Sequence, residues 1–311
     1  MEKKMILRRE ASSSFGTAPE KRSVEELLAC GIVNIDKPAG PSSHQVTAWA
    51  REILGAEKTG HSGTLDPGVT GVLPTATNKA VKVLQYLLLA QKEYVGIGHL
   101  HKPVEEAKIK KVLEKFIGEI TQLPPRKSAV KRQERKRSVY SFEILDIEHQ
   151  DFLFRVRCQS GTYIRKLIHD VGKELGVTAH MAELRRTAVG SFTEENIASL
   201  TDLKDALVFL KEEGNEELLR KIIFPLEKAV EHLPKILVFD TALKSLTHGR
   251  DLALPGVASF EEFTVGETVG VFTLREELVA VGKAKIDSSE VLSGEKGIVV
   301  ETEKVFLEEI K

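Results

Sequence analysis

The chain has 311 residues, of which 41% are hydrophobic and 29% are charged, and its formal net charge is −1. The length is enough for about two domains with buried cores. The near-neutral balance excludes a strongly basic or acidic protein, although residues 235–311 hold 9 Lys/Arg against 14 Asp/Glu and leave the positive excess to residues 1–234. Two cysteines, Cys30 and Cys158, are too few for a disulfide framework or a cysteine-rich zinc site and are typical of a reducing compartment.

The N-terminal part of the chain begins with a polar segment, residues 1–22, which lacks an apolar core of signal-peptide length and predicts a flexible or draped arm. A strand over 31–36 ends at Lys37-Pro38, and a helix over 42–54 follows, with Ser42 or Ser43 as N-cap. A Gly-rich stretch leads into a helix over 78–88. No apolar run approaches the roughly 20 residues of a membrane-spanning helix, so we expect a soluble, cytoplasmic protein with no membrane contact.

The middle and C-terminal parts alternate between strand and helix patterns. We predict a strand over 92–101, a helix over 104–120, a hairpin with strands at 138–149 and 152–159, and a helix over 162–175. The chain is then mostly helical from 200 to about 233, and Pro234 marks a boundary. Five or so short strands after it indicate a small β-barrel. The predicted organisation is therefore an arm (1–22), a first domain (23–234) and a second domain (235–311).

The stretch GHSGTLDPGVTGVL at residues 60–73 sets one acidic residue, Asp66, among Gly, Ser, Thr and Pro. Asp before Pro in such a stretch usually closes a turn. The spacing of a phosphate-binding loop is absent, and so is the second Asp of a metal-dependent aspartyl phosphatase. The stretch alone favours a turn, with a functional carboxylate as the alternative.

Arg165 lies in the first turn of the helix over 162–175 if Thr162 is its N-cap. A cation there faces the positive end of the helix dipole, at a cost of about 0.3–1 kcal/mol. Such a residue needs a compensating partner, for instance a carboxylate, or it points into solvent. The placement alone barely favours a functional role.

The other candidates also have ordinary explanations. Tyr94, Tyr140 and Tyr163 are half-buried by default, but aromatic rings in a basic setting can stack on an extruded base. His61 is by default a loop histidine without metal-ligand spacing. The segment 126–137 holds seven Lys/Arg and one Glu, and it is either a solvated surface or a contact to nucleic-acid phosphates.

Five motifs occur in the order NIDKPAGPSSHQV, GHSGTLDPGVTGVL, KEYVG, SGTYIRKL and HMAELRRT. Together they resemble the TruB family of pseudouridine synthases, and PPRKSAVKR, AHMAELRRT and FPLEKAVEHLPKI resemble its archaeal, dyskerin-like branch. The resemblance covers roughly residues 22–308. It implies an α+β fold: a catalytic domain with a mixed, mainly antiparallel central sheet flanked by helices, followed by a small C-terminal PUA β-barrel that binds RNA.

Carried to the matching positions, the resemblance implies that Asp66 is the nucleophile and that Arg165 pairs with it. Tyr94 would stack on the target uracil and is a proposed base. The pocket would be lined by Tyr163, Ile164 and Leu184, with His61 holding the place of the flipped nucleotide. The candidate contacts to the RNA backbone are the basic residues Lys127, Lys131, Arg132, Arg135 and Lys136.

The implied reaction breaks the glycosidic bond of uridine, rotates the uracil and forms a C–C bond, which requires no metal, no cofactor and no energy source. A carboxylate nucleophile must stay ionised in a pocket meant for an apolar base, and an adjacent guanidinium favours that state. Extruding the base costs about a few kcal/mol, which an aromatic ring beneath it partly offsets. Whether Asp66 attacks the ribose or the uracil stays open.

The resemblance implies the catalytic subunit of an archaeal H/ACA guide ribonucleoprotein, acting on rRNA positions chosen by the guide RNA, with tRNA as a further substrate. The implied protein partners are a small zinc-ribbon-like protein, a barrel protein of the Gar family and a kink-turn-binding ribosomal-type protein. Two alternatives stay open: a stand-alone, guide-independent tRNA pseudouridine synthase, and a non-catalytic guide-RNA scaffold.

Overall fold

A computed structural model describes residues 4–10, 12–13, 15–123 and 133–308. Its α-helices are α1 (Val24–Ala29), α2 (Ser43–Leu54), α3 (Leu84–Leu87), α4 (Glu106–Glu114), α5 (Ile164–Glu174), α6 (Leu200–Glu213), α7 (Glu217–Ile222), α8 (Asp240–Thr247) and α9 (Ser288–Ser293). Its strands are β1 (Ile6–Leu7), β2 (Gly31–Lys37), β3 (Thr59–His61), β4 (Thr70–Thr77), β5 (Lys92–Leu100), β6 (Gly118–Gln122), β7 (Arg135–Glu148), β8 (Asp151–Cys158), β9 (Ala179–Val189), β10 (Phe192–Thr193), β11 (Ile223–Pro225), β12 (Lys235–Val238), β13 (Leu252–Ala253), β14 (Val257–Phe260), β15 (Thr268–Phe272), β16 (Leu278–Ala284) and β17 (Ile298–Val305). Two compact units result, Leu28–Phe224 and Met1–Leu27 with Pro225–Lys311.

The larger unit is built on a sheet with the strand order β11-β2-β4-β9-β5-β8-β7-β6, with β3 added beside β4 and β10 beside β9. The β4–β9 pair is parallel, whereas the pairs of β2 with β4, β5 with β8 and β9, and β7 with β6 and β8 are antiparallel. The predicted mixed, mainly antiparallel sheet is confirmed.

The core of this unit lies between the sheet and α5. Phe152, Phe154 and Val156 alternate along β8 with more exposed residues, as the period of two predicts, and all three are fully buried. Leu167 and Ile168 of α5 belong to the same buried cluster. The hairpin and the amphipathic helix expected from the sequence are therefore packed against each other.

Two predicted helices differ from the structure. The helix expected over 104–120 ends at Glu114, and Gly118, with φ +105°, starts strand β6, which pairs with β7. Periodicity missed this change because the strand is short and a left-handed glycine joins it to the helix. The segment 78–88 is a 3-10 helix, Asn78–Val83, that continues into the short α3.

The smaller unit is a seven-stranded sheet in the order β1-β14-β12-β15-β16-β17-β13. Six of these strands come from the C-terminal part, in place of the five or so predicted. The seventh, β1, comes from the N-terminal segment and pairs with β14. Arg8, next to β1, donates hydrogen bonds to the carbonyls of Val291 (3.0 Å), Leu254 (2.9 Å) and Gly294 (3.2 Å), so this part of the predicted arm is draped over the sheet rather than free.

Candidate active site

Asp66 lies on the loop between β3 and β4, and its side chain is 56% exposed. The residues beside it are anchored: Leu65 is buried, its amide donates to Ser43 Oγ (2.8 Å), and Val69 is buried with its amide donating to the Asp66 carbonyl (2.9 Å). The turn that the sequence favoured and the exposed carboxylate therefore coexist, because the turn's backbone is fixed while the Asp66 side chain faces outward.

A buried lysine holds the same loop from below. Lys37, at the end of β2, is fully buried, and its Nζ donates to the carbonyl oxygens of Pro67 (3.0 Å), Val69 (2.8 Å) and Pro38 (2.8 Å). Burial, and then the charge of Arg186, lower the pKa of Lys37. The lysine of the NIDKPAG motif, which the sequence analysis used only as a strand end, is thus a structural clamp on the loop that carries Asp66.

Arg165 is in the first turn of α5, and its guanidinium forms an ion pair with the Asp66 carboxylate. The helix begins one residue later than expected: its N-cap is Tyr163 and makes no capping hydrogen bond, while the Thr162 hydroxyl donates to the Gln159 carbonyl. Both members of the pair are more than half exposed, so it adds little to stability. The Asp66 carboxylate is therefore the compensating partner expected for a cation at the N-terminal end of a helix.

Tyr94 on β5 is only 9% exposed, and it is paired with Arg186 on the neighbouring strand β9. Burial raises the pKa of Tyr94, and the charge of Arg186 only partly opposes the rise. The phenol is therefore neutral at physiological pH. A neutral aromatic ring at the edge of the apolar core is suited to stacking on a base.

Two of the predicted pocket residues share a buried cluster with Tyr94, and the third, Tyr163, is held by a neighbouring side chain. Ile164 (4% exposed) and Leu184 (9% exposed) belong to the same buried cluster as Tyr94. Tyr163 is half-buried, and its backbone is held by the Gln122 side chain: the Tyr163 amide donates to Gln122 Oε1 (2.9 Å), and Gln122 Nε2 donates to the Tyr163 carbonyl (3.2 Å). No motif or pattern in the sequence singles out Gln122.

His61, at the end of β3, is packed edge-on against His44, with ring centroids 4.9 Å apart. Burial, followed by the charges of His44 and Arg186, lowers the pKa of His61 to about 4, so the ring is neutral at physiological pH. It borders a cavity of about 480 Å³ that is also lined by Arg51 and Lys58. A neutral ring is compatible with the predicted role in replacing a flipped base, which stays a prediction.

Arg186 is a residue of the site that the sequence analysis missed, although the sequence held a signal. Consecutive residues on a strand point to opposite faces, so of Arg185 and Arg186 on β9 one must point inward. Arg185 is partly exposed and binds Asp36 (2.9 Å) and Glu194. Arg186 is 1% exposed, and burial lowers its pKa.

The predicted contacts to the RNA backbone are described only in part. Lys127, Lys131 and Arg132 lie outside the described residues. Lys136 on β7 is exposed and forms an ion pair with Glu119 (2.8 Å), which raises its pKa, and Arg135 is half-buried. Their role in RNA binding stays a prediction.

Within residues 4–10, 12–13, 15–123 and 133–308, no group of three or more His, Cys, Asp or Glu side chains is placed to hold a metal ion. In the same ranges, no helix is both long and apolar enough to cross a membrane.

Four family models match the chain. They are the DKCLD (NUC011) domain at residues 2–47, the N-terminal domain of the TruB family of pseudouridylate synthases at 51–164, the C-terminal domain of tRNA pseudouridylate synthase B at 165–231, and the PUA domain at 234–306. A probable tRNA pseudouridine synthase B of Methanopyrus kandleri is 51% identical over 99% of this chain and 92% of its own length. The chain belongs to the TruB family of pseudouridine synthases.

A further relative and two solved structures are similar to this chain over nearly its whole length. The probable tRNA pseudouridine synthase B of Pyrococcus furiosus is 53% identical over 96% of this chain and 88% of its own length. In a crystal structure of a Cbf5-Nop10-Gar1 complex, the matching chain has a TM-score of 0.94 and 51% identity, with 99% of this chain and 95% of that one covered. In a structure of an H/ACA RNP bound to a substrate RNA containing 2′-deoxyuridine, the matching chain has a TM-score of 0.91 and 49% identity, with 99% of this chain and 95% of that one covered.

These matches make the chain an RNA pseudouridine synthase of the dyskerin-like branch, with a TruB-type catalytic domain and a PUA domain, as the motifs predicted. They also extend the resemblance toward the N-terminus. The sequence motifs covered roughly residues 22–308, whereas the DKCLD match starts at residue 2 and includes strand β1.

Proposed function

We propose that this chain converts uridine to pseudouridine at RNA positions selected by an H/ACA guide RNA, with Asp66 as the nucleophile. The observation that carries the proposal is the ion pair between Asp66, on its anchored loop, and Arg165. The loop residues Leu65 and Val69, on either side of Asp66, belong to the same apolar cluster as Tyr94. An apolar cluster beside one carboxylate that is paired with a guanidinium suits a reaction between a nucleophile and a flat, neutral base.

Each side chain would have a distinct task. The Asp66 carboxylate forms the covalent bond to the nucleoside, while Arg165 pairs with it and orients it. Tyr94 stacks on the extruded uracil. Ile164 and Leu184 exclude water around the base, and Tyr163 continues the pocket wall. The contacts of each residue and its match to the family motifs support these proposed roles.

Guide dependence is supported by similarity over almost the whole chain to the Cbf5-type chains described above, which were crystallised with Nop10 and Gar1 or bound to a substrate RNA. We expect this chain to bind a Nop10-type zinc-ribbon protein, a Gar-family barrel protein, a kink-turn-binding ribosomal-type protein and a guide RNA, and to work in the cytoplasm. The relatives named tRNA pseudouridine synthase B favour tRNA as a second substrate that needs no guide.

Reconstitution separates these possibilities. The purified chain is mixed with an rRNA fragment or a tRNA, with and without guide RNA and the three partner proteins, and pseudouridine is mapped. We expect modification of the rRNA position only with the guide, and slower, guide-independent modification of tRNA. Modification of rRNA without any guide would contradict the proposal and favour a stand-alone enzyme. RNA binding without modification of either substrate would favour a scaffold.

A further inference from the structure

Helix α5, which carries Arg165, begins without a capping side chain of its own. In α2 and α6 the amide of the N-cap residue donates to the side chain three residues later, as the Ser42 amide does to Gln45 Oε1 (2.8 Å). The corresponding residue of α5 is Lys166, whose ammonium donates hydrogen bonds and accepts none. The amide of Tyr163, the N-cap of α5, therefore takes its acceptor from another element or from water.

Gln122, the last residue of β6, supplies that acceptor from 41 residues away in the chain. Its Oε1 accepts from the Tyr163 amide (2.9 Å), and its Nε2 donates to the Tyr163 carbonyl (3.2 Å). The first of these hydrogen bonds is the one that Gln45 makes within α2, and the second is additional. Because both backbone groups of one residue are held, as in a pair of strands, the peptide groups on either side of Tyr163 are restrained.

The restrained residue lies two positions before Arg165. The Arg165 side chain is 53% exposed, so packing alone does not fix it, and its approach to Asp66 depends on where the backbone of the first turn lies. Ile164, between Tyr163 and Arg165, is buried in the core of the larger unit. Gln122 and the core together therefore hold the turn from which the guanidinium reaches the carboxylate.

Two other contacts hold the loop that leads into α5. Gln159 Oε1 accepts from the Ser138 amide (3.1 Å), and Lys92 Nζ donates to Ser160 Oγ (3.1 Å). Both contacts are made before the helix starts. Gln122 extends this support to the N-cap itself.

The position of Gln122 fits a role beyond packing. It is 3% exposed, and a buried side-chain amide is costly unless its oxygen and its nitrogen are both hydrogen-bonded. The turn that it supports carries a cation near the N-terminal end of a helix, where the helix dipole is unfavourable to positive charge. The dipole therefore favours fraying of this turn, and a restraint from a neighbouring strand opposes it.

We propose that Gln122 is the positioning residue for Arg165: it fixes the first turn of α5 so that the guanidinium meets the Asp66 carboxylate. The inference rests on the proposed function of Asp66 and Arg165. The hydrogen bonds of Gln122 end on the backbone of Tyr163, so its effect on the reaction passes through the start of the helix.

The test compares Gln122→Met, which removes both hydrogen bonds and preserves most of the side-chain volume, with Thr121→Val. Thr121 is the matched control because it is the adjacent, exposed residue on the opposite face of β6. In single-turnover assays of the reconstituted particle we expect Gln122→Met to slow pseudouridine formation about ten- to hundredfold, the loss that a misplacement of about 1 Å can cause, with the Kd for RNA unchanged. Thr121→Val should match the wild-type rate. An unchanged rate in Gln122→Met, or an equal fall in RNA affinity, would overturn the proposal.

A double-mutant cycle shows whether the effect passes through Arg165. In an Arg165→Met background, Gln122→Met should cost at most about threefold further, because the side chain that it positions is gone. The same loss in both backgrounds would mean that Gln122 acts elsewhere, for instance through the Tyr163 ring, and would overturn the inference. If Arg165→Met alone left the rate unchanged, the proposed role of Arg165 would be refuted, and the inference with it.

Hydrogen exchange of the Tyr163 amide is a readout that does not depend on catalysis. We expect this amide to exchange about tenfold faster in Gln122→Met, because it loses its acceptor, and at the wild-type rate in Thr121→Val. Unchanged exchange in Gln122→Met would overturn the contact on which the inference rests. Faster exchange with an unchanged rate of pseudouridine formation would overturn the positioning role, while the role of Asp66 would stand.

If Gln122→Met does not fold, Gln122→Asn carries both tests. Its side chain is one methylene shorter, so the amide cannot reach the N–H and the carbonyl of Tyr163 together. We expect the same direction of change in the rate and in the exchange of the Tyr163 amide, and wild-type values of both would overturn the proposal.

Discussion

Replacing Lys37 with Met would remove the clamp under the catalytic loop while preserving most of the side-chain volume. In the native protein Lys37 Nζ donates to the carbonyls of Pro38, Pro67 and Val69. The Pro67 carbonyl also accepts from the Gly40 amide (2.9 Å), so it keeps one donor in the variant. The carbonyls of Pro38 and Val69 lose the ammonium as a donor.

The magnitude follows from those two carbonyls. A buried acceptor left without a donor costs about 1–3 kcal/mol, so two of them cost about 2–6 kcal/mol. The variant no longer buries an ammonium, which offsets part of this cost and leaves the closed loop destabilised by about 3 kcal/mol. A difference of about 3 kcal/mol corresponds to a roughly hundredfold larger population of the open loop. Turnover should fall because the Asp66 carboxylate is no longer fixed.

The assay is native-state hydrogen exchange of the Val69 amide, which donates to the Asp66 carbonyl inside the loop. We expect its exchange to be about a hundredfold faster in Lys37→Met. Lys111→Met, at an exposed position on α4, is the control and should leave the Val69 amide unchanged. Wild-type exchange in Lys37→Met would refute the claim that these hydrogen bonds hold the loop.

Three further predictions concern charged groups. Arg165→Met should reduce turnover far more than RNA affinity, measured by single-turnover kinetics and RNA titration; equal losses would make Arg165 mainly an RNA contact. Burial, aided by the charge of Arg186, lowers the pKa of Lys92 from 10.5 to about 7, so the unfolded chain binds more protons between these values and the unfolding free energy should rise with pH across that window relative to Lys92→Met. Urea titrations at several pH values check this, and a constant difference between the two proteins would contradict it. Neutralising the basic residues just before and at the start of β7 should weaken RNA binding and flatten its salt dependence, and an unchanged slope would remove them from the interface; the residues are Lys131, Arg132, Arg135 and Lys136.

Much of the fold could be predicted from local patterns. Strand β8 and helix α5 were located because period-2 and period-3.6 patterns persist over 8 and 11 residues. The end of α4 was misplaced because Gly118 turns the chain within a charged segment whose helical period seemed to continue. Strand β1 was missed because two residues have no detectable period and pair only through the tertiary fold.

Some residues of the site could also be predicted from the sequence, and others could not. Asp66 and Arg165 were identified because each lies in a family motif, whereas the local sequence alone favoured a turn for Asp66 and barely favoured a function for Arg165. Their contact across about a hundred residues is a property of the tertiary structure. Lys37 and Arg186 were missed because a buried cation that binds carbonyls has no sequence pattern of its own. The one available signal was the pair of adjacent arginines on β9, of which only one could face solvent.

The most direct test of the central claim is pseudouridine formation by Asp66→Asn. The variant removes the charge and preserves the shape of the side chain, so RNA binding and the fold should persist. In the reconstituted particle, with guide RNA and an rRNA fragment, we expect no pseudouridine at the target uridine in the time the wild type completes one turnover. Formation at the wild-type rate would show that Asp66 is not the nucleophile and would contradict the account.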